Sequence, residues 1–189
     1  MEAAEEVAKA PVQPRSEARC TKNDSERARR EGQPGQDHRP VALEKVTDLG
    51  VERVVPVETG RSDHGLFAAA QKRVERWRKI AREASQQSRR DRLPEVHAAI
   101  RLRQVSASGT RLLLDEDPGA PALEVPVSWT PETPLSLFLG PEGGWTADER
   151  VTLKASGWVP ASLGPTVLRA ETAGMAAVAV LAHALAARR

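Results

Sequence analysis

Two turns rich in glycine and proline constrain this chain more than any other feature of its sequence. One lies in "LFLGPEGGWTADE", residues 137–149, and the other in "SLGPTVLRAETAG", residues 162–174. In each, a short apolar run stops at a Gly-Pro pair and a helical pattern follows. Strand, tight turn and helix in that order belong to α/β folds, in which each strand of a parallel sheet hands the chain to a covering helix. In open sheets of that kind, ligands bind beyond the carboxyl ends of the strands. Glycine there lets the backbone approach a ligand closely and take positive φ, and Pro141 stiffens the turn.

The rest of the chain reads the same way. "VALEKVTDLG" has helical apolar spacing from Val41 and a stop at Gly50. "VERVVPV" is β-branched and reads as a buried strand with Pro56 near its end. A long helix follows, with Val74, Trp77, Ile80, Ala81 and Ala84 on one face and Pro94 beyond its end. Strands are expected at Arg111–Leu114, at Leu135–Leu139 and in "WVPASLG". Thr146 and Glu149 form a capping box for a helix that Gly157 ends, and a last helix is expected from Thr172 to about Ala187. Helices alternating with short β-rich runs give an α/β domain on a mostly parallel sheet. Residues 1–40 carry four prolines and eight charges of each sign, with almost no large apolar residues. They are expected to be disordered, because they bury too little to offset the entropy of ordering.

Composition narrows the chemistry. Cys20 is the single cysteine, so no intrachain disulfide and no cysteine metal cluster can form, and a reducing, cytoplasmic setting is expected. His38, His64, His97 and His183 lack metal-ligand spacing, so no metal is expected. The apolar stretch Ala173–Ala187 falls short of the ~20 residues a membrane span needs, and it reads as a buried helix. Charge is uneven: residues 61–103 hold 12 Lys/Arg against 5 Asp/Glu, while residues 104–189 hold 6 against 9. A cationic block attracts polyanions, although a solvated helix face has the same composition.

Neither turn is a nucleotide fingerprint. There is no GxGxxG, no Lys-Ser/Thr follows the glycines, and Glu142 would repel a phosphate. A neutral or cationic ligand fits better, and a tight strand-to-helix turn alone also accounts for the pattern. In the second turn, Thr172 as a cap and Glu171 beside a helix N-terminus are favourable for the helix itself. Arg169 is not, because a cation is disfavoured there. It needs a partner: Glu171, Glu142 or an anionic substrate.

Together, "GPEGGWTADE" and "LGPTVLRAETA" resemble the paired signature of the RsmE-type methyltransferases, within the SPOUT superfamily. "LEKVTDLGVERVVPVETGRS" and "EASQQSRRDRLPEV" are similar to further stretches of that family, so the resemblance runs from about Val41 to the C-terminus. It implies a SPOUT methyltransferase domain at 41–189, with an α/β fold, a mostly parallel sheet and a deep C-terminal trefoil knot. It also implies S-adenosyl-L-methionine as cofactor and N3 of a uridine of 16S rRNA, in the 30S ribosomal subunit, as target. That uridine is number 1498 in the RNA. A homodimer formed through the last helix is implied as well. By the resemblance, Arg169 and Glu171 are catalytic. Leu139, Gly140, Pro141, Glu142, Gly143 and Gly144 form one half of the cofactor cradle. Leu163, Gly164, Val167, Leu168 and Thr172 form the other, closed by Leu114 from a neighbouring strand. Arg61, Gln87 and Arg90 are expected toward the RNA, and Trp145 is expected to pack rather than stack on adenine. The family's N-terminal PUA-like barrel has no counterpart in residues 1–40, and "SERARREGQPGQDHR" does not read as the strand that should precede Val41. Another SPOUT enzyme acting on a different RNA such as tRNA, or a dimerising fragment without catalysis, are the alternative readings.

Overall fold

The computed structural model describes residues 39–62, 65–117 and 119–188. The expected disordered tail lies outside the described residues except for its last two, which already belong to a helix. That helix, α1 (Arg39–Asp48), starts slightly earlier than its apolar spacing suggests and ends at Gly50, which takes φ 98°. Next come β1 (Arg53–Val54), β2 (Val57–Glu58), α2 (Leu66–Gln87), β3 (Glu95–Val96) and β4 (Ile100–Arg101). They are followed by β5 (Thr110–Leu114), β6 (Leu135–Phe138), α3 (Ala147–Ala155), β7 (Val159–Ala161) and α4 (Ala170–Ala186).

Every strand pair is parallel. β1 pairs with β3, β2 with β4, and β5 lies between β6 and β7. The single buried strand expected from "VERVVPV" is instead two two-residue strands, half-buried apart from the exposed Arg53. Proline has no N–H to give a ladder. Pro56 therefore interrupts the run, although its carbonyl still accepts from Ile100 N at 3.0 Å.

The three-stranded sheet sorts its side chains by the two-residue period of a strand. Leu112 faces one way, into a core with Ala161, Trp129, Ala177 and Leu181. Leu113, fully buried, faces the other way, among Phe138, Trp145, Leu153 and Trp158. The expected apolar face of α2 forms as read: Val74, Trp77, Ala81 and Ala84 are all buried. Several of these residues pack with Leu43 of α1 and Val96 of β3 in a further cluster.

The end of α2 is a Schellman motif. Arg90 N donates to Ser85 O at 2.9 Å, and Arg89 N donates to Gln86 O at 3.3 Å. The left-handed position of that motif usually holds glycine, but here Arg89 occupies it with φ 53°. A side chain there costs about 1 kcal/mol. Arg89→Gly is therefore expected to raise stability, by about 0.5 kcal/mol after glycine's greater freedom in the unfolded chain is counted. A rise in the urea unfolding midpoint at constant m would register it.

Candidate active site

Because β5, β6 and β7 run parallel, their carboxyl ends lie along one edge of the sheet, and three loops emerge there together. Leu114, Asp115 and Glu116 come from the first loop. Leu139 to Glu142, Gly144 and Trp145 come from the second, and Ser162 to Gly164 with Thr166 to Leu168 from the third. They line one crevice, completed by Ala170 and Ala173 of α4. The enclosed space is about 100 Å³, so a ligand of cofactor size would fill it and extend over the rim.

The glycines are needed where they stand. A Cβ on Gly140 would come within 3.1 Å of the Trp145 indole nitrogen. Gly144 has φ 68°, and a Cβ there would collide with the Glu116 carboxylate. Trp145 itself is only 1% exposed. Its N–H donates to Leu114 O at 2.9 Å, and its ring stands edge-on to Phe138 at 4.8 Å. It packs beneath the crevice and ties two of the loops together.

Two carboxylates brace the walls. Glu149, buried, completes the expected capping box: Thr146 N donates to its Oε2 at 2.9 Å, and Thr146 Oγ1 accepts from Glu149 N at 3.2 Å. Its other oxygen accepts from Gly60 N at 2.6 Å, which draws the loop before α2 against the glycine turn. Arg61 strengthens that junction by donating from Nη1 to Gly143 O at 2.6 Å. The second brace was not apparent from sequence. Asp115, 5% exposed, accepts from Arg150 Nε at 2.9 Å and from Arg150 Nη2 at 2.8 Å. Arg150 Nη1 donates to Trp145 O at 2.8 Å. Burial alone would raise the Asp115 pKa, but the hydrogen bonds and charge of Arg150 outweigh it and hold the carboxyl below its ordinary value.

Of the expected cradle residues, Leu114, Leu139, Gly140, Pro141, Glu142, Gly144, Leu163, Gly164, Val167 and Leu168 line the crevice. Gly143 lies in the same turn but outside the lining, with its carbonyl on Arg61. Thr172 is not the cap of the last helix. Arg169 holds that position, with φ −63° and ψ 149°, its carbonyl accepting from Ala173 N at 2.8 Å. The helix can start early because Gly174 sits close on Leu139, where a Cβ would lie 3.0 Å from Leu139 Cδ1. That packing outweighs a cap worth about 1 kcal/mol. Glu171 is half-buried in the first turn, and the Arg169 side chain is exposed. Among the described residues Arg169 makes no salt bridge and no side-chain cap bond, so neither Glu171 nor Glu142 is its partner. Gln87 is the last residue of α2, and the Arg90 guanidinium binds the carbonyls of Thr47, Gly50 and Val51 at the end of α1. Asp115, Glu116, Ser162 and Thr166 are crevice residues the sequence reading missed. No metal-binding group of acids, histidines or cysteines exists among the described residues, and no helix there is long and apolar enough to cross a membrane.

The family model for the RNA methyltransferase domain matches residues 32–182. The chain belongs to this family. It is 31% identical over 153 residues to the ribosomal RNA small subunit methyltransferase E of Mycobacterium tuberculosis, covering 77% of this chain and 58% of that protein. Its fold is similar to the crystal structure of the same enzyme from Neisseria gonorrhoeae bound to S-adenosyl methionine. The TM-score there is 0.63 at 29% identity, over 77% of this chain and 60% of that one. A putative methyltransferase of Legionella pneumophila, also in complex with that cofactor, gives a TM-score of 0.69 at 28% identity, over 79% of this chain and 62% of that one. The chain thus spans about three fifths of the length of these relatives.

The Asp115–Arg150 brace makes a stability prediction. The folded pKa of Asp115 lies below its ordinary 3.8, so its contribution is full above that value and disappears as pH falls through the folded pKa. Asp115→Ala leaves Arg150 without its carboxylate and is expected to cost about 3 kcal/mol at pH 7. The loss should shrink toward zero as wild type and variant are compared at progressively lower pH. Urea titrations between pH 7 and pH 2 would check it.

Proposed function

We propose that this chain is the catalytic part of an S-adenosyl-L-methionine-dependent methyltransferase that modifies N3 of a uridine in 16S rRNA of the small ribosomal subunit. The observation that carries the reading is the crevice at the carboxyl edge of β6-β5-β7, built from the two glycine turns, in a chain of the RNA methyltransferase family. Its residues fit the cofactor. Leu114, Leu139, Leu163 and Leu168 offer apolar walls for an adenine. Gly164 leaves room for close backbone approach, since nothing lies within 4 Å of where its Cβ would be. Glu116 and Glu142 put carboxylates, suited to a cationic ligand, beside the crevice.

The bound cofactor would supply a methyl group on a sulfonium, which needs no metal. The protein's own task is to orient the base, because in-line approach supplies much of the acceleration. Arg169 is the group suited to stabilise negative charge developing on the uracil oxygens, or to hold an adjacent phosphate, since it has no partner within the described chain. Glu171, half-buried two residues away and not paired with Arg169, is the carboxylate suited to take the N3 proton through water. The resemblance adds a C-terminal trefoil knot, a domain boundary near Val41 and a homodimer. The dimer is supported by α4, which is apolar along nearly its whole length yet buries only Gly174, Ala177 and Leu181. A second subunit packed on the remaining face would cover that surface.

Calorimetry with S-adenosyl-L-methionine should show binding, and methyl transfer to unmodified 30S subunits should be detected as 3-methyluridine by nucleoside mass spectrometry. No binding at millimolar cofactor would overturn the proposal. Arg169→Ala is expected to lower transfer about 100-fold or more while leaving cofactor affinity unchanged. Unaltered transfer would remove Arg169 from the mechanism.

A further inference from the structure

The basic block seen in the sequence is concentrated on α2, and the structure fixes where that helix begins. Gly60 N is held by the Glu149 carboxylate and Arg61 Nη1 by Gly143 O, both at 2.6 Å, and α2 starts a few residues later with Gly65 as its N-cap. The segment that leads into α2 is therefore anchored at the glycine turn of the crevice, and the 22 residues of the helix span ~33 Å.

Lys72, Arg76 and Lys79 follow one another at i, i+4 and i+7, which places them in one stripe. All three are exposed, on the side opposite the apolar face of Val74, Trp77 and Ala81. Lys72 and Arg76 make no salt bridge among the described residues, and Lys79 reaches Glu83 only at 3.9 Å. Arg82 is also exposed and flanks the stripe. A helix face stabilised by its own ion pairs would set acids at these spacings, as Arg78 does with Glu75 at 2.6 Å. Along the stripe Glu75 is taken by Arg78 and Glu83 meets Lys79 only at 3.9 Å, so Lys72 and Arg76 in particular remain available to an outside polyanion.

We propose that Lys72, Arg76 and Lys79 form a track for the phosphate backbone of the RNA strand that carries the target base, leading outward along α2 from the crevice. The track rests on the reading of the crevice as an RNA methyltransferase site. It assigns to the catalytic part itself a share of RNA affinity that is electrostatic and independent of sequence. The three residues contact neither the cofactor nor the reacting atoms. They act by positioning the strand.

The test uses the full 189-residue chain with Lys72→Gln, Arg76→Gln and Lys79→Gln combined. These are exposed positions, and glutamine is a good helix former, so the thermal midpoint should stay within a degree or two. Binding of a fluorescent 20-nucleotide single-stranded RNA is measured by anisotropy across a potassium chloride series. Each lost phosphate contact lowers the slope of log K against log salt by ~0.7, so the triple variant should lose ~2 in slope and about 100-fold in affinity at 0.1 M salt. Calorimetric affinity for S-adenosyl-L-methionine should not change, and with 30S subunits the KM should rise while kcat holds. Equal RNA affinity and slope in wild type and variant would overturn the track. Failure of the wild type to bind the cofactor would instead strike the proposed function, so the two failures are distinguishable.

Discussion

The parallel direction of β5, β6 and β7 is the constraint on which everything else depends. A parallel neighbour must be reached by a crossover, and each crossover leaves its strand at the same edge. Three loops far apart in sequence, after Leu114, after Phe138 and after Ala161, are thereby forced into one small volume. Packing then becomes the difficulty. Trp145 must lie under Gly140, Glu116 beside Gly144, and α4 directly on Leu139, and at each contact the smaller partner is a glycine. The glycines serve the fold first.

Loops crowded in this way need fixing, and two buried carboxylates supply it by different means. Glu149 is a helix-cap residue with a spare oxygen, and that oxygen reaches Gly60, 89 positions earlier in the chain. Asp115 is neutralised by Arg150, whose remaining donor goes to the Trp145 carbonyl. Neither group points charge at a ligand, since each is consumed by its partners. The carboxylates still exposed near the crevice, Glu116 and Glu142, are the ones whose charge a ligand would feel.

What the sequence disclosed follows the range of the interactions involved. The Thr146–Glu149 box, the Gly157 stop and the apolar face of α2 depend on residues three or four apart, and all formed as read. The crevice-lining glycines were legible because turn chemistry is also local. Strands β3 and β4 were not, since two-residue strands leave no periodicity to detect. Asp115–Arg150 joins positions 35 apart and is invisible to any local rule. The cap of α4 was misplaced because cap preference favours Thr172 over Arg169, whereas close packing of Gly174 on Leu139 set the register.

That misplacement explains the position of Arg169. A cation at a helix N-cap opposes the helix dipole and would be replaced cheaply by serine or aspartate if the cap alone mattered. Its carbonyl does the structural work, accepting from Ala173 N, and any residue could provide that. The side chain contributes nothing to the fold that the described contacts reveal, and it stands next to Leu168, a residue of the crevice wall. An exposed guanidinium kept where the helix dipole disfavours it by up to about 1 kcal/mol is open to a group outside the chain. Under the proposed function the anionic groups within reach are the nucleic acid and the carboxylate of the cofactor, and the Arg169→Ala variant separates them by whether transfer or cofactor affinity falls. Lys72 and Arg76 are likewise cations without a salt bridge among the described residues, Glu75 being taken by Arg78, and under the proposed function both ends of the site would face one polyanion.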